Sequence, residues 1–175
     1  MSPFASVTAF AVAAVLAMAP AFAQKMGNDD AAAMKQLAQD NLNEIAAGKM
    51  AASKAQSPDV KQFAQKMVDD HTKMLSDLKS LAQRKDVNLP DNAGVKEMAQ
   101  GKLMERKGGA DFDREYMQHM VKDHEKALDA AKNTAAKAKD PEFKAAVQQA
   151  SGKIQEHLQM AQRISKSAAA GSSSK

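Results

Sequence analysis

The stretch "KAQSPDV" at residues 54–60 marks a helix start, and "KAKDPEF" at residues 137–143 repeats the same device. In each stretch a residue that can cap a helix, Ser57 or Asp140, is followed by a proline and then by an acid. Proline is favoured at the first helical position, and an acid in the first turn interacts favourably with the helix dipole. Each stretch therefore predicts that one helix ends and the next begins within two or three residues, which makes each pair an antiparallel hairpin.

The rest of the chain is rich in the strong helix formers Ala, Lys, Gln, Met and Leu. We predict long helices over residues 29–55, 58–85, 111–138 and 141–167 and a short helix near 95–106, with Asp111 as a further cap. The link between the second and third helices has roughly 25 residues, which is enough to cross the bundle and make these helices parallel. The predicted fold is an all-α, ferritin-like up-down four-helix bundle with one long crossover connection.

Residues 1–23 have the pattern of a secretory signal peptide. They carry no charge and end in Ala21-Phe22-Ala23, a small-residue cleavage pattern. Their apolar run of roughly ten residues is short for a membrane span, which needs about 20. We expect a periplasmic or secreted protein without a membrane span after cleavage, with the bundle over residues 24–167 and a disordered tail over 168–175.

Composition excludes several classes of function. The chain has no cysteine, so disulfides, thiolate catalysis and thiolate metal ligands are excluded. Its 25 Lys and Arg are interspersed with 21 Asp and Glu, and it has no Trp and one Tyr. Nucleic-acid binding usually needs a basic stripe with stacking aromatic residues, so we expect no nucleic-acid partner. No nucleophile or paired-acid constellation favours an enzyme, and no pattern names a protein partner.

The histidines mark the interior of the predicted bundle. "MVDDHTKM" at residues 67–74 recurs as "MVKDHEKA" at residues 120–127, a spacing of 53 that two matching hairpins could explain. His71 and His124 each fill the one gap in an apolar stripe of their helix, and His157 does the same in the fourth helix. In the second helix, for example, that stripe is Val60, Phe63, Met67, Met74, Leu78 and Leu81, and in the third it includes Ala127. All three histidines are therefore predicted to face the core.

Counting from the turns at about 1.5 Å per residue puts these histidines at similar heights. Glu44, which flanks the apolar stripe of the first helix, falls at that height too. The sequence thus predicts one mid-bundle layer of four donors: Glu44, His71, His124 and His157. Imidazole and carboxylate suit a single transition metal ion such as Zn, Cu or Fe. The alternative is a metal-free polar network in a non-catalytic structural or stress-related envelope protein.

Other residues near this layer have simpler explanations. The acids that precede the histidines point about 100° away from the apolar stripes and are predicted to be solvated, rather than to orient or replace a ligand; they are Asp70, Asp123 and Glu156. Methionines one turn from a histidine are typical of core packing, although Met with His would favour Cu(I); they are Met67, Met74, Met120 and Met160. His119 lies off the stripe and is predicted at the surface.

Several stretches resemble the domain-of-unknown-function 4142 family, exported bacterial proteins grouped with the ferritin-like superfamily. They are "NLNEIAAGKMAASKAQSPDVKQFAQKMVDDHTK", "FDREYMQHMVKDHEKAL", "AKDPEFKAAV" and "HLQMA". The resemblance covers nearly the whole chain after residue 23 and implies the ferritin-like bundle, but no established activity. Di-iron enzymes of that superfamily carry Glu-x-x-His motifs, whereas Val68, Val121 and Ile154 stand three residues before these histidines. The resemblance therefore does not imply ferroxidase or oxygenase activity.

Overall fold

The computed structural model describes residues 25–95, 101, 104 and 106–172. These residues contain four long helices and no strand: α1 is Asn28–Lys54, α2 is Pro58–Arg84, α3 is Gly109–Lys137 and α4 is Pro141–Ser172. The prediction of an all-α four-helix bundle is confirmed. The predicted ends agree within two residues except for that of α4, which continues five residues past residue 167. Three successive alanines, the best helix formers, follow that position.

Two predictions fall largely outside the described residues. The signal peptide over 1–23 lies entirely outside them, as does most of the short helix near 95–106, of which residues 95, 101 and 104 are described and helical. Within the described part of the chain, no helix combines the length and the apolar character that a membrane crossing requires. Cleavage of the leader stays a prediction. The disordered tail predicted over 168–175 is wrong for residues 168–172, which continue α4, and residues 173–175 lie outside the described residues.

Two buried carboxylates fix the topology by joining the hairpins at their turns. Asp113, near the start of α3, accepts hydrogen bonds from the backbone N–H groups of Gln56 (3.1 Å) and Ser57 (2.7 Å) in the α1–α2 turn. Asp30, near the start of α1, accepts them from Lys139 (3.0 Å) and Asp140 (2.7 Å) in the α3–α4 turn. Since α3 begins where α1 ends, α1 and α3 are antiparallel and α2 and α3 are parallel. The α2–α3 link therefore crosses the length of the bundle, as predicted.

Ion pairs connect the C-terminal end of α2 to the start of α4. Lys85 forms ion pairs with Asp140 at 2.8 Å and with Glu142 at 2.7 Å. The strongest packing is within the two hairpins, and α2 against α4 and α1 against α3 close the bundle.

The predicted helix caps are only partly correct. Asp140 caps α4 by accepting a hydrogen bond from Phe143 N–H at 2.9 Å, but the side chain of Ser57 makes no capping bond to α2. Asp111 does not cap α3 either, because α3 begins at Gly109 and Asp111 lies inside its first turn, where it pairs with Arg114 at 2.5 Å. The nearby Asp113 serves a tertiary role instead, since it binds the turn of the other hairpin.

The two hairpins repeat each other at a spacing of 83 residues. Asp30 of the first hairpin corresponds at this spacing to Asp113 of the second, and the turn residues Gln56 and Ser57 correspond to Lys139 and Asp140. Each aspartate binds the turn of the other hairpin, so the same contact occurs twice. The spacing of 53 seen in the sequence instead relates α2 to α3, which are parallel. The helix α2 is the second helix of its hairpin, whereas α3 is the first helix of its own. The expectation that matching hairpins explain that spacing is therefore wrong.

The core consists of two apolar clusters with the three buried histidines between them. On α2, His71 lies between Met67 of one cluster and Leu75 of the other. On α3, His124 lies in the same way between Met120 and Leu128. The predicted stripes had used Met74 and Ala127, which are only partly buried, instead of Leu75 and Leu128. Leu75 and Leu128 each follow a histidine by four residues, and residues four apart lie on the same face of a helix, so both leucines are on the buried face.

Candidate metal centre

Three imidazoles from three helices meet in the middle of the bundle. The ring centroids of His71 and His157 are 5.3 Å apart, those of His124 and His157 are 5.6 Å apart, and those of His71 and His124 are 6.1 Å apart. The exposed fractions of His71, His124 and His157 are 5%, 2% and 0%. One nitrogen from each ring can be chosen so that all three lie within 4.8 Å of one another. These three histidines could hold a metal ion.

Asn41 of α1 orients the His71 ring. The side-chain amide of Asn41 donates from Nδ2 to the carbonyl oxygen of Leu37 at 2.7 Å, so its Oδ1 faces the histidine as an acceptor. His71 Nδ1 lies 3.0 Å from that oxygen and must donate to it. The proton of neutral His71 is therefore on Nδ1, and Nε2 carries a free lone pair.

The other two rings are oriented by acceptors of the same kind. His124 Nδ1 lies 2.9 Å from the carbonyl oxygen of Met120, and His157 Nε2 lies 2.8 Å from Oδ2 of Asp70. A carbonyl oxygen and a carboxylate can only accept, so both ring nitrogens carry protons. The lone pairs of the neutral rings are consequently on His124 Nε2 and His157 Nδ1.

The nitrogens that carry these lone pairs are buried and have no hydrogen-bond partner: they are His71 Nε2, His124 Nε2 and His157 Nδ1. Leaving a buried polar group unpaired costs about 1–3 kcal/mol. Lone pairs on neighbouring rings also repel one another, and a cation bound between the rings would relieve both penalties. Metal-binding histidines have this arrangement, in which one ring nitrogen donates to an acceptor and the other faces the ion.

The spacing of the nitrogens suits a first-row transition metal. For three points no more than 4.8 Å apart, a central point lies within about 2.8 Å of each. Bonds from zinc to imidazole nitrogen are about 2.0–2.1 Å, so small rotations of the side chains bring the nitrogens to ligand distance. The residues present therefore fit an ion of this class.

Burial keeps the three imidazoles in the neutral form that binds metals. Burial, together with the charges of neighbouring histidines, lowers the pKa of His71 to about 3 and that of His124 to about 4. The pKa of His157 is also lowered, mainly by burial, although the hydrogen bond to Asp70 opposes this shift. At neutral pH protons therefore compete weakly for the three lone pairs.

Glu44, the fourth predicted ligand, is not in the group of residues whose ligand atoms lie within 4.8 Å of one another. Its Oε2 is buried without a hydrogen-bond partner, and burial together with the charge of Asp123 raises the pKa of its carboxyl to about 8. The buried hydroxyl of Tyr116 is also unpaired, and burial raises the pKa of that phenol, with the charge of Glu44 adding to the shift. The position of α1 that faces the histidines is Asn41, one turn before Glu44. Counting residues from the helix end could not separate two positions one turn apart.

Of the three acids that precede the histidines, Asp70 contacts an imidazole of the site, which is that of His157 and not that of its chain neighbour His71. Asp123 pairs with His119 at 2.9 Å, and Glu156 pairs with Lys153 at 2.7 Å. The expectation that all three are simply solvated is therefore wrong for Asp70.

His119 has a side chain that is 34% exposed, in agreement with its predicted surface position. Met67 and Met120 pack in the apolar core, which is the role predicted for them. Asn41 was missed as a functional residue, although a polar residue within the apolar stripe of α1 is the signal that could have identified it.

Comparison with known proteins gives one result. A family model described as a domain of unknown function (DUF4142) matches residues 15–164. No curated protein and no solved structure matches the chain significantly.

Proposed function

We propose a function for this chain, which belongs to the DUF4142 family: it binds one transition metal ion through His71, His124 and His157. Two observations carry the proposal: ring nitrogens of the three buried histidines lie within 4.8 Å of one another, and each ring has one buried nitrogen without a hydrogen-bond partner. The acceptors on the opposite side of each ring fix which nitrogen bears the proton. A metal-free network would have paired these nitrogens with donors, and none of the described side chains donates to them.

The donor set favours a particular class of ion. Three neutral imidazoles suit zinc, copper and iron, whereas magnesium and calcium prefer oxygen ligands. No carboxylate belongs to the group of three, so the described site lacks the bridging acids of a di-iron centre. Storage or buffering of one ion fits this site better than oxygen chemistry does.

The orienting residues have distinct roles in the proposal. Asn41 and the carbonyl of Met120 hold two rings by neutral hydrogen bonds. Asp70 holds the third through its carboxylate, whose negative charge makes His157 a stronger ligand. Asp70 also pairs with Lys66 at 2.8 Å, which fixes the position of the carboxylate.

We also propose that the bundle acts outside the cytoplasm, as a periplasmic or secreted protein. The support is the uncharged, apolar pattern of residues 1–23 and the small residues at its end. The mass of the protein recovered from producing cells tests this, since removal of residues 1–23 leaves a chain that begins at Gln24. A full-length mass would overturn the proposal of export.

The test of metal binding uses protein purified without a histidine tag, stripped with a chelator and titrated with Zn²⁺. We expect one equivalent to bind to the natural chain and none to the double variant His71→Ala, His124→Ala. The matched control is His119→Ala, which removes a partly exposed histidine outside the site and should still bind one equivalent. Absence of binding by the natural chain, or equal loss in the control, would overturn the proposal.

A further inference from the structure

A pocket between α1, α2 and α4 reaches the residues that orient two of the histidines. Its volume is about 100 Å³, room for roughly three water molecules. Asn41 and Asp70 line it together with apolar side chains that include Leu37, Met74 and Ala146. Asn41 is the partner of His71, and Asp70 is the partner of His157. The pocket therefore ends one hydrogen bond away from the metal-binding rings.

The three histidines are almost completely buried, so an ion needs a path that opens when a side chain moves. His157 has no exposed surface, whereas the side chain of Asp70 is 21% exposed and bonded to it. Asp70 therefore spans the boundary between the pocket and the buried rings. A carboxylate is also a ligand that a divalent cation accepts while it sheds water.

We propose that metal ions enter and leave the bundle through this pocket, and that rotation of Asp70 away from His157 opens the path. The inference rests on the proposed function and adds to it the route and the residue that controls exchange. Asp77 provides a second carboxylate in the pocket and is paired with Lys73 at 2.9 Å. The other lysine of the pocket, Lys153, is paired with Glu156 at 2.7 Å, so both lysines that line the pocket have an acidic partner.

The test compares two substitutions at adjacent exposed positions of α4. Gln149 lines the pocket and Gln148 does not, and both are exposed. Gln149→Trp places a large side chain over the pocket, whereas Gln148→Trp places the same side chain elsewhere on the helix. The rates of Zn²⁺ uptake by metal-free protein and of release to excess chelator are measured by stopped flow, and the equilibrium affinity by titration.

We expect Gln149→Trp to slow uptake and release by similar factors of roughly tenfold, because a small increase in a barrier suffices for this. The equilibrium affinity should stay unchanged, since both directions use the same path. Gln148→Trp should match the natural chain. Ala146→Phe, which fills the pocket from a partly buried position, should reproduce the slow exchange provided that it binds Zn²⁺ with natural affinity.

The outcomes separate the two proposals. If the natural chain binds Zn²⁺ but both tryptophan variants exchange it at the natural rate, the pocket is not the route and metal binding still stands. If the natural chain binds no Zn²⁺, the proposed function fails and this inference fails with it. Slow exchange in both tryptophan variants would also count against the pocket, because only one of them covers it.

Discussion

Replacement of Glu44 by glutamine should change how stability depends on pH. Burial raises the pKa of this carboxyl from 4.5 to about 8 in the folded protein, with Asp123 adding to the shift. Between these two values the folded state holds a proton that the unfolded state has released, so stability falls as pH rises. Each unit of pKa shift corresponds to about 1.36 kcal/mol, and integration from about pH 5 to about pH 7.5 gives a loss of about 3 kcal/mol.

The assay is urea unfolding of metal-free protein at several pH values. Glutamine does not titrate, so the free energy of unfolding of Glu44→Gln minus that of the natural chain should grow by about 3 kcal/mol between about pH 5 and pH 7.5. The histidines titrate in both proteins and cancel in this difference. Glu125→Gln, at an exposed position of α3, is the control and should give a constant difference. A difference for Glu44→Gln that is equally constant would refute the reasoning.

Three further predictions concern the site and its surroundings. Asp70→Asn should weaken Zn²⁺ binding by about 10–100-fold because the carboxylate that orients His157 is lost. The control Glu156→Gln should bind Zn²⁺ with the natural affinity, and the same result for Asp70→Asn would contradict the prediction. His124→Leu should stabilise the metal-free protein by roughly 1–2 kcal/mol in urea unfolding because it removes an unpaired buried nitrogen; clear destabilisation would contradict it. Gly48→Ala should destabilise by roughly 1–3 kcal/mol, since its added Cβ would lie 2.9 Å from Val68 Cγ2; an unchanged unfolding midpoint would count against that close packing.

Much of the fold could be predicted from local signals. Pro58 and Pro141 marked both hairpins because proline is tolerated at the first position of a helix. The length of the α2–α3 link then determined that α2 and α3 are parallel. The ties made by Asp30 and Asp113 could not be predicted in the same way, because each joins residues more than 50 positions apart along the chain.

The histidines of the site were predictable because each interrupts an apolar stripe, and periodicity alone assigns such a position to the core. The partners of the rings were harder to predict. Asp70 lies off the stripe of its own helix and reaches across to α4, so its role depends on the packing of two helices. Asn41 and Glu44 differ by one helical turn, and the exact rotation of α1 decides which of them meets His71.

Long-range ¹H–¹⁵N NMR of the histidine rings tests the central claim most directly, since it identifies the protonated nitrogen of each imidazole before and after addition of Zn²⁺. In metal-free protein we predict protons on Nδ1 of His71, Nδ1 of His124 and Nε2 of His157. One equivalent of Zn²⁺ should then shift the opposite nitrogen of each of these rings and leave His119 unchanged. Protons on the nitrogens that have no hydrogen-bond partner, or a response to Zn²⁺ at His119 alone, would contradict the account.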